Sequence, residues 1–110
     1  MPESLTTWER AKLLNALGKL SGLNLAMLRK ANKLLDRIEL TQEEKESIGW
    51  RQNMKPNGTV EFSWTVSKNW DMEFDEEELQ LLRYAFNQFD GWVVFEYEKV
   101  EELANKLAVS

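Results

Sequence analysis

The sequence predicts an α+β fold, in which a small antiparallel β-sheet packs against about five helices within a single domain over residues 1–110. Near both ends of the chain, apolar side chains recur every three or four positions, which is the period of an amphipathic helix. Between these parts, residues 60–66 alternate apolar and polar side chains, which is typical of a strand with one buried face. A chain of 110 residues can bury one hydrophobic core without disulfides or metals.

A helical hairpin is predicted over residues 6–38. The first helix begins at Thr6 or Thr7, because Glu9 completes the spacing of a capping box. Two glycines then weaken and end it, and the second helix follows over residues 24–38. The apolar stripe of the first helix consists of Leu13, Leu14, Leu17 and Leu20, and that of the second of Met27, Leu28, Ala31, Leu34, Leu35 and Ile38.

A short third helix is predicted over residues 41–48. Thr41 is its N-cap, and Glu44 is placed to bond back to the backbone of the cap. Gly49 ends this helix after two turns.

Residues 50–74 are predicted to form an antiparallel β-meander of two or three strands. The alternating segment named above is the clearest strand, and the turn Pro56-Asn57-Gly58 makes residues 50–55 its hairpin partner. A second turn at Ser67-Lys68-Asn69 leads to a third strand over residues 70–74. The residues expected on the inner face are Trp50, Gln52, Met54, Val60, Phe62, Trp64, Val66, Trp70, Met72 and Phe74.

Helices are predicted over most of residues 75–108. The first of them begins at Asp75, because Asp is a favoured N-cap and the three glutamates that follow lie against the positive end of the helix dipole. Gly91 comes after its last turn. Residues 92–95 form a short apolar run whose period does not distinguish a strand from a buried connector. The last helix begins at about Tyr97. The apolar stripes of the two helices are Leu79, Leu82, Ala85, Phe86 and Phe89, and Val100, Leu103, Ala104 and Leu107.

The side-chain chemistry of the chain favours binding over catalysis. There are five tryptophans but no histidine and no cysteine, so the usual proton shuttle, thiolate nucleophile and soft metal ligands are missing. The sequence contains no Ser-x-x-Lys, Gly-x-Ser-x-Gly, Walker or Gly-x-Gly-x-x-Gly motif. We therefore predict no catalytic residue, no cofactor and no metal site. A small hydrolase or sugar-binding domain stays open as a third hypothesis, because two of the nineteen acids could converge beside a tryptophan.

Charge is distributed unevenly along the chain. Residues 9–37 contain seven Lys and Arg against two acids, whereas residues 38–110 contain seven against sixteen, for a total of −5 that includes Glu3. Such a split is typical of a nucleic-acid-binding face, of head-to-tail association, or of one half of a fold neutralising the other.

Two charged surfaces are candidate interaction sites. On the second helix, four basic residues fall within an arc of about 100° away from the apolar stripe, and Asp71 and Glu73 alternate outward on the third strand. The basic residues are Arg29, Lys30, Lys33 and Arg37. These residues could contact a phosphate backbone or an acidic protein, or they could form a solvated helix face. The negative net charge of the whole chain disfavours a nucleic-acid partner.

Trp8 is the aromatic candidate for this interaction surface. On the wheel of the first helix it lies opposite the leucine stripe, so it could be an exposed anchor for a partner. It also lies in the first turn, from which it could fold back over the core. Tyr84 is a weaker candidate on the polar side of its helix.

The expected location is the cytoplasm. No apolar run approaches the roughly 18 to 20 residues of a membrane-spanning helix, and the first residues lack a secretion signal. We expect the partner to be a protein, which includes a second copy of this chain. We expect no nucleic-acid partner and no membrane.

The order of elements carries a resemblance. The chain begins with a leucine-rich helical pair. This pair is followed in order by Leu40-Thr41-Gln42-Glu43-Glu44, by Trp50 with a strand, and by Glu76-Glu77-Glu78-Leu79-Gln80-Leu81-Leu82. In this order the chain resembles small bacteriophage or prophage proteins of unknown function, and it departs from them in its longer hairpin region and its tryptophan count. The resemblance implies a phage setting and supplies no site residues.

Two functions follow as expectations. The first is a noncatalytic protein–protein interaction or assembly module, an accessory protein of a phage or prophage. The second is an acidic inhibitor that mimics nucleic acid and binds a host nucleic-acid enzyme. The second function requires an uninterrupted acidic face that combines Glu43, Glu46, Asp71 and Glu73 without a lysine.

Overall fold

The predicted α+β class is confirmed by a computed structural model that describes residues 2–56 and 60–109. Within these residues the chain forms five α-helices and two separate two-stranded antiparallel sheets. The elements are β1 (Pro2–Thr6), α1 (Thr7–Gly18), α2 (Leu25–Ile38), α3 (Gln42–Ile48), β2 (Arg51–Met54), β3 (Val60–Ser63), β4 (Asn69–Glu73), α4 (Glu76–Gln88) and α5 (Tyr97–Leu107), with a turn of 3-10 helix at Val94–Glu96 before α5.

The helix starts follow the predicted capping chemistry. Thr6 accepts a hydrogen bond from the Glu9 N–H at 3.1 Å, and the Glu9 side chain accepts one from the Thr6 N–H at 2.8 Å. The same reciprocal pair forms at the start of α3 and of α4. Asn24 caps α2. These bonds satisfy N–H groups that a helix start would otherwise leave without partners, so short-range sequence fixes where the helices begin.

The sheet pairing differs from the prediction of one meander. Strands β2 and β3 form the expected hairpin, with Arg51 opposite Ser63, although residues 57 and 58 of the predicted turn lie outside the described residues. The third strand, β4, pairs instead with β1 at the start of the chain, where Leu5 lies opposite Trp70. This pairing buries Leu5 completely, so it supplies a long-range apolar contact that local alternation does not encode.

The predicted inner face of the hairpin is only partly buried. Trp50 stacks on Phe62 and Trp64 with ring centroids 4.8 and 5.8 Å apart, which keeps these aromatic residues together. In contrast, β2 is exposed along its whole length, including Met54, and Val66 is exposed as well. The reason is that, within the described part of the chain, β2 packs mainly against β3. The chain also turns away at Val66, whose N–H donates to the Ile48 carbonyl.

The core lies where α1, α2, α4 and α5 meet. Its fully buried side chains include Leu5, Leu13, Leu34, Ile38, Leu82, Leu103 and Leu107. Lys106 on α5 donates to the buried Glu9 carboxylate of α1 at 2.6 Å, which adds a polar link between these helices. The prediction for the first turns of α2 is wrong: Met27 and Leu28 are exposed, because only the second half of that apolar stripe reaches the core.

Among the described residues, no helix is both long enough and apolar enough to cross a bilayer.

Candidate interaction surface

The predicted basic stripe of α2 lies against the acidic start of α4. The Lys30 ammonium donates to Asp75 at 3.4 Å and to Glu77 at 2.8 Å. Arg37 donates to the Glu78 carboxylate. Two of the four basic residues therefore stabilise the contact between α2 and α4 instead of being free for a partner.

The local contacts favour the charged forms of this cluster. The hydrogen bond to Glu77 is the largest cause of the raised pKa of Lys30. Desolvation opposes it, and the hydrogen bond to Asp75 and the charge of Asp75 add to it. The pKa of Asp75 is lowered, first by the hydrogen bond from the Glu78 N–H and then by Lys30 and Arg37. These ion pairs therefore persist across the neutral pH range.

The other charged candidates remain on the surface. Arg29 and Lys33 are exposed and have no ion-pair partner among the residues that the structure describes. Asp71 and Glu73 are exposed on β4, as the alternation predicted, and the Glu73 carbonyl accepts a hydrogen bond from Arg37. Arg29 and Lys33 on α2 and Asp71 and Glu73 on β4 are therefore the charged candidates that stay accessible to a partner.

Trp8 folds back over the core, which is the second of the two alternatives for this residue. It is 8% exposed, its ring centroid lies 6.4 Å from that of Trp92, and its indole N–H donates to Glu96. The ammonium groups of Lys12 and Lys99 lie 5.9 and 5.7 Å from its ring centroid. Trp8 therefore anchors the segment before α5 and is not itself an exposed hot spot.

The two most exposed large apolar side chains among the described residues lie in that segment, at residues 93–97, which we name the apolar projection. Phe95 is fully exposed, Val94 is 91% exposed and Tyr97 is 62% exposed. The expectation of a strand or a buried connector at residues 92–95 is wrong for Val94 and Phe95. Periodicity missed this surface because the apolar run is too short to show which of its side chains face the core.

Both ends of the apolar projection are held by internal contacts. The Trp92 indole packs within 4.8 Å of the ring centroids of Phe86 and Phe89, and its N–H donates to the Phe86 carbonyl at 3.3 Å. At the other end, Glu96 accepts from Trp8 and pairs with Lys12 at 3.4 Å. The apolar side chains are thus presented on a segment that is already ordered.

A cavity of about 830 Å³ lies beside the apolar projection, between α1 and the β2–β3 hairpin. We name it the aromatic groove. Its aromatic and cationic lining consists of Trp8, Phe62, Trp64, Phe89, Lys12, Lys19 and Lys55, and Gly18, Gly91 and Glu96 also contribute. Lys12 and Lys55 pair with Glu96 and Glu61, whereas Lys19 forms no ion pair within the described residues. The groove therefore suits an apolar or aromatic group that carries negative charge.

A second, smaller apolar surface lies between α2 and α4. Its cavity of about 350 Å³ is lined by Met27, Leu81 and Tyr84, and Leu25 and Leu28 are exposed nearby on α2. Tyr84 is exposed, as its place on the polar side of the helix predicted. No apolar or aromatic side chain of this surface is as exposed as Phe95.

The described residues contain no group of three or more acids that could hold a metal ion. Comparisons with protein-family models, with curated proteins and with solved structures gave no match to this chain. Inferences about function therefore depend on the geometry of these surfaces.

Proposed function

We propose that this chain is a noncatalytic assembly module that self-associates through the apolar projection. The observation that carries the proposal is the complete exposure of Phe95 on a segment whose two ends are fixed to the core. Aromatic residues, phenylalanine included, are enriched at the buried centres of protein interfaces relative to the rest of the surface. Because the segment is already ordered, little conformational entropy is lost when it binds.

The contact is expected to be apolar more than electrostatic. Lys30 and Arg37, which were candidates for charge-driven assembly, are already paired with α4. Burial of one phenylalanine side chain contributes about 1.5 to 3 kcal/mol. In a two-fold dimer this contribution occurs twice, so loss of the Phe95 ring is expected to raise the Kd roughly a thousandfold.

The test is the molar mass in solution by light scattering. At roughly 100 µM protein, a dimer with a micromolar Kd is populated, whereas a variant with a thousandfold higher Kd is monomeric. The mass is measured at roughly 0.05 M and at 0.5 M salt, because the higher value screens surface charges. We expect an oligomer at both salt concentrations and a monomer for Phe95→Ser. Leu28→Ser, which removes an exposed side chain from α2, is the matched control and should leave the mass unchanged.

The proposal is overturned by a wild-type monomer under both conditions, or by an oligomer that survives Phe95→Ser. Dissociation in Leu28→Ser but not in Phe95→Ser would move the interface to the surface between α2 and α4. Dissociation at high salt alone would restore the hypothesis of complementary charges.

A phage or prophage setting for this assembly role, and the cytoplasm as its location, remain proposals that rest on the sequence. We rank the acidic inhibitor second. It requires an acidic surface without cations. The contacts of Lys30 and Arg37 with the carboxylates at the start of α4, and of Arg37 with the Glu73 carbonyl on β4, weigh against it.

A further inference from the structure

We propose that the apolar projection of one protomer fills the aromatic groove of a second copy, and that the exchange is reciprocal about a two-fold axis. This inference rests on the proposed self-association and names the site that receives Phe95.

The apolar projection and the aromatic groove lie side by side. Gly91 and Glu96 both line the groove, while Val94 and Phe95, which lie between them in sequence, are almost fully exposed. The chain therefore leaves the groove wall, projects into solvent and returns. A two-fold interface requires both halves of a contact on one surface of the protomer, and this arrangement provides them.

The groove cannot be filled by the projection of the same chain. Trp92 is fixed by its contacts with Phe86 and Phe89, and Glu96 is fixed by Trp8 and Lys12. Only three residues separate these two anchors, which is too short a segment to fold back. A Phe95 side chain that fills the groove must therefore come from another molecule.

The size and chemistry of the groove fit this occupant. A volume of about 830 Å³ is enough to enclose a phenylalanine ring with its neighbours. Phe62, Trp64 and Phe89 provide ring faces and edges for offset or edge-to-face contacts. A second copy thus supplies an aromatic side chain where the groove presents aromatic walls.

Charge is complementary across the same contact. The groove lining has three lysines and two glutamates, with Lys19 unpaired among the described residues. The first turns of α5, which follow the projection, carry exposed Glu98, Glu101 and Glu102 against Lys99. Opposite charges on the two parts favour this register over one in which two projections meet.

Gly18 allows the groove to be blocked without damage to the core. It is the last residue of α1, and a Cβ added there would have no atom within 4 Å. Gly18→Phe should fill the groove, and Gly18→Ala is the matched control. Neither should destabilise the folded monomer, because glycine is a weak helix former.

The experiment measures the dimer Kd of the wild type and of Phe95→Ser, Gly18→Phe and Gly18→Ala. It then measures the Kd of the heterodimer in a mixture of Phe95→Ser and Gly18→Phe. Each of these two is expected to weaken the dimer roughly a thousandfold, whereas Gly18→Ala should not. The mixture restores one projection and groove pair. Its heterodimer, identified by mass spectrometry, should therefore be roughly thirtyfold tighter than either homodimer.

The outcomes separate the two proposals. A dimer that survives Gly18→Phe but not Phe95→Ser overturns the groove inference and leaves the proposed function standing. A mixture without heterodimer overturns reciprocal exchange. A wild-type monomer overturns both, and its Phe95-dependent binding to zwitterionic phospholipid vesicles would assign the projection to a lipid surface.

Discussion

Replacement of Arg10 by methionine is expected to be among the most destabilising single changes in this protein. Arg10 is 5% exposed, and its guanidinium donates to the carbonyls of Ile38 and Glu39 at 2.6 and 3.2 Å. It also donates twice to the Glu44 carboxylate, at 3.1 and 3.2 Å. Its centre lies 5.1 Å from the ring centroid of Trp70. One side chain thus joins α1 to the end of α2, to α3 and to β4.

The magnitude follows from the groups that Arg10→Met leaves unpaired. Removal of one partner from a buried ion pair costs about 3 to 5 kcal/mol. The lower value applies here, because the Glu44 side chain is 26% exposed and can recruit water. At about 4 °C per kcal/mol for a chain of this length, the Tm should fall by about 12 °C.

The assay is urea unfolding at neutral pH, with Arg29→Met as the control. That change removes the same guanidinium from an exposed position and should alter the free energy of unfolding by less than about 0.5 kcal/mol. A double-mutant cycle with Glu44→Gln should give a coupling energy of at least about 1 kcal/mol. Equal effects of Arg10→Met and Arg29→Met, or a coupling energy of zero, would refute the reasoning.

The ionisation of Glu44 depends on the same contact. Partial burial acts to raise the pKa of its carboxyl group, but the hydrogen bonds from the Thr41 N–H and from Arg10 outweigh it. The net result is a pKa below the ordinary value of 4.5. The folded state therefore binds the proton less readily than the unfolded chain does.

Three further results are expected. The stabilisation contributed by ionised Glu44 should be complete above pH 4.5 and should be lost as the pH falls through the folded-state pKa. When the Tm is measured against pH in the acid range, the Tm of Glu44→Gln should therefore fall less steeply than that of the wild type. An equal slope would contradict this. Gly49→Ala should lower the free energy of unfolding by about 1 to 2 kcal/mol, because Gly49 has a φ of 69° and an added Cβ would collide with a threonine hydroxyl. Gly18→Ala, in an open helical position, should raise the free energy of unfolding. Changes of the same sign in urea unfolding would be inconsistent with the structure. Ala108→Gly should raise the Tm by about 4 °C, because Ala108 has a left-handed φ of 58° at the C-cap of α5, and calorimetry would disprove this if the Tm fell.

The sequence determined the local features of the fold. The capping residues Thr6, Thr41 and Asp75 and their partners are three positions apart, so the bonds that start α1, α3 and α4 could be inferred from short windows. The change in apolar period likewise identified the hairpin of β2 and β3. Helical and hairpin hydrogen bonds close over few residues, and for this reason sequence neighbours are sufficient to predict them.

Only the tertiary structure decided how the surfaces are used. Pairing of β4 with β1, the contact of Lys30 with Asp75 and the bond between Trp8 and Glu96 join residues more than 40 positions apart. These contacts bury a tryptophan that the helical wheel placed outside, neutralise half of the basic stripe and leave Phe95 in solvent. Such distant pairs are selected by packing of the whole chain, because the burial of apolar area depends on which surfaces meet and not on the periodicity of either one.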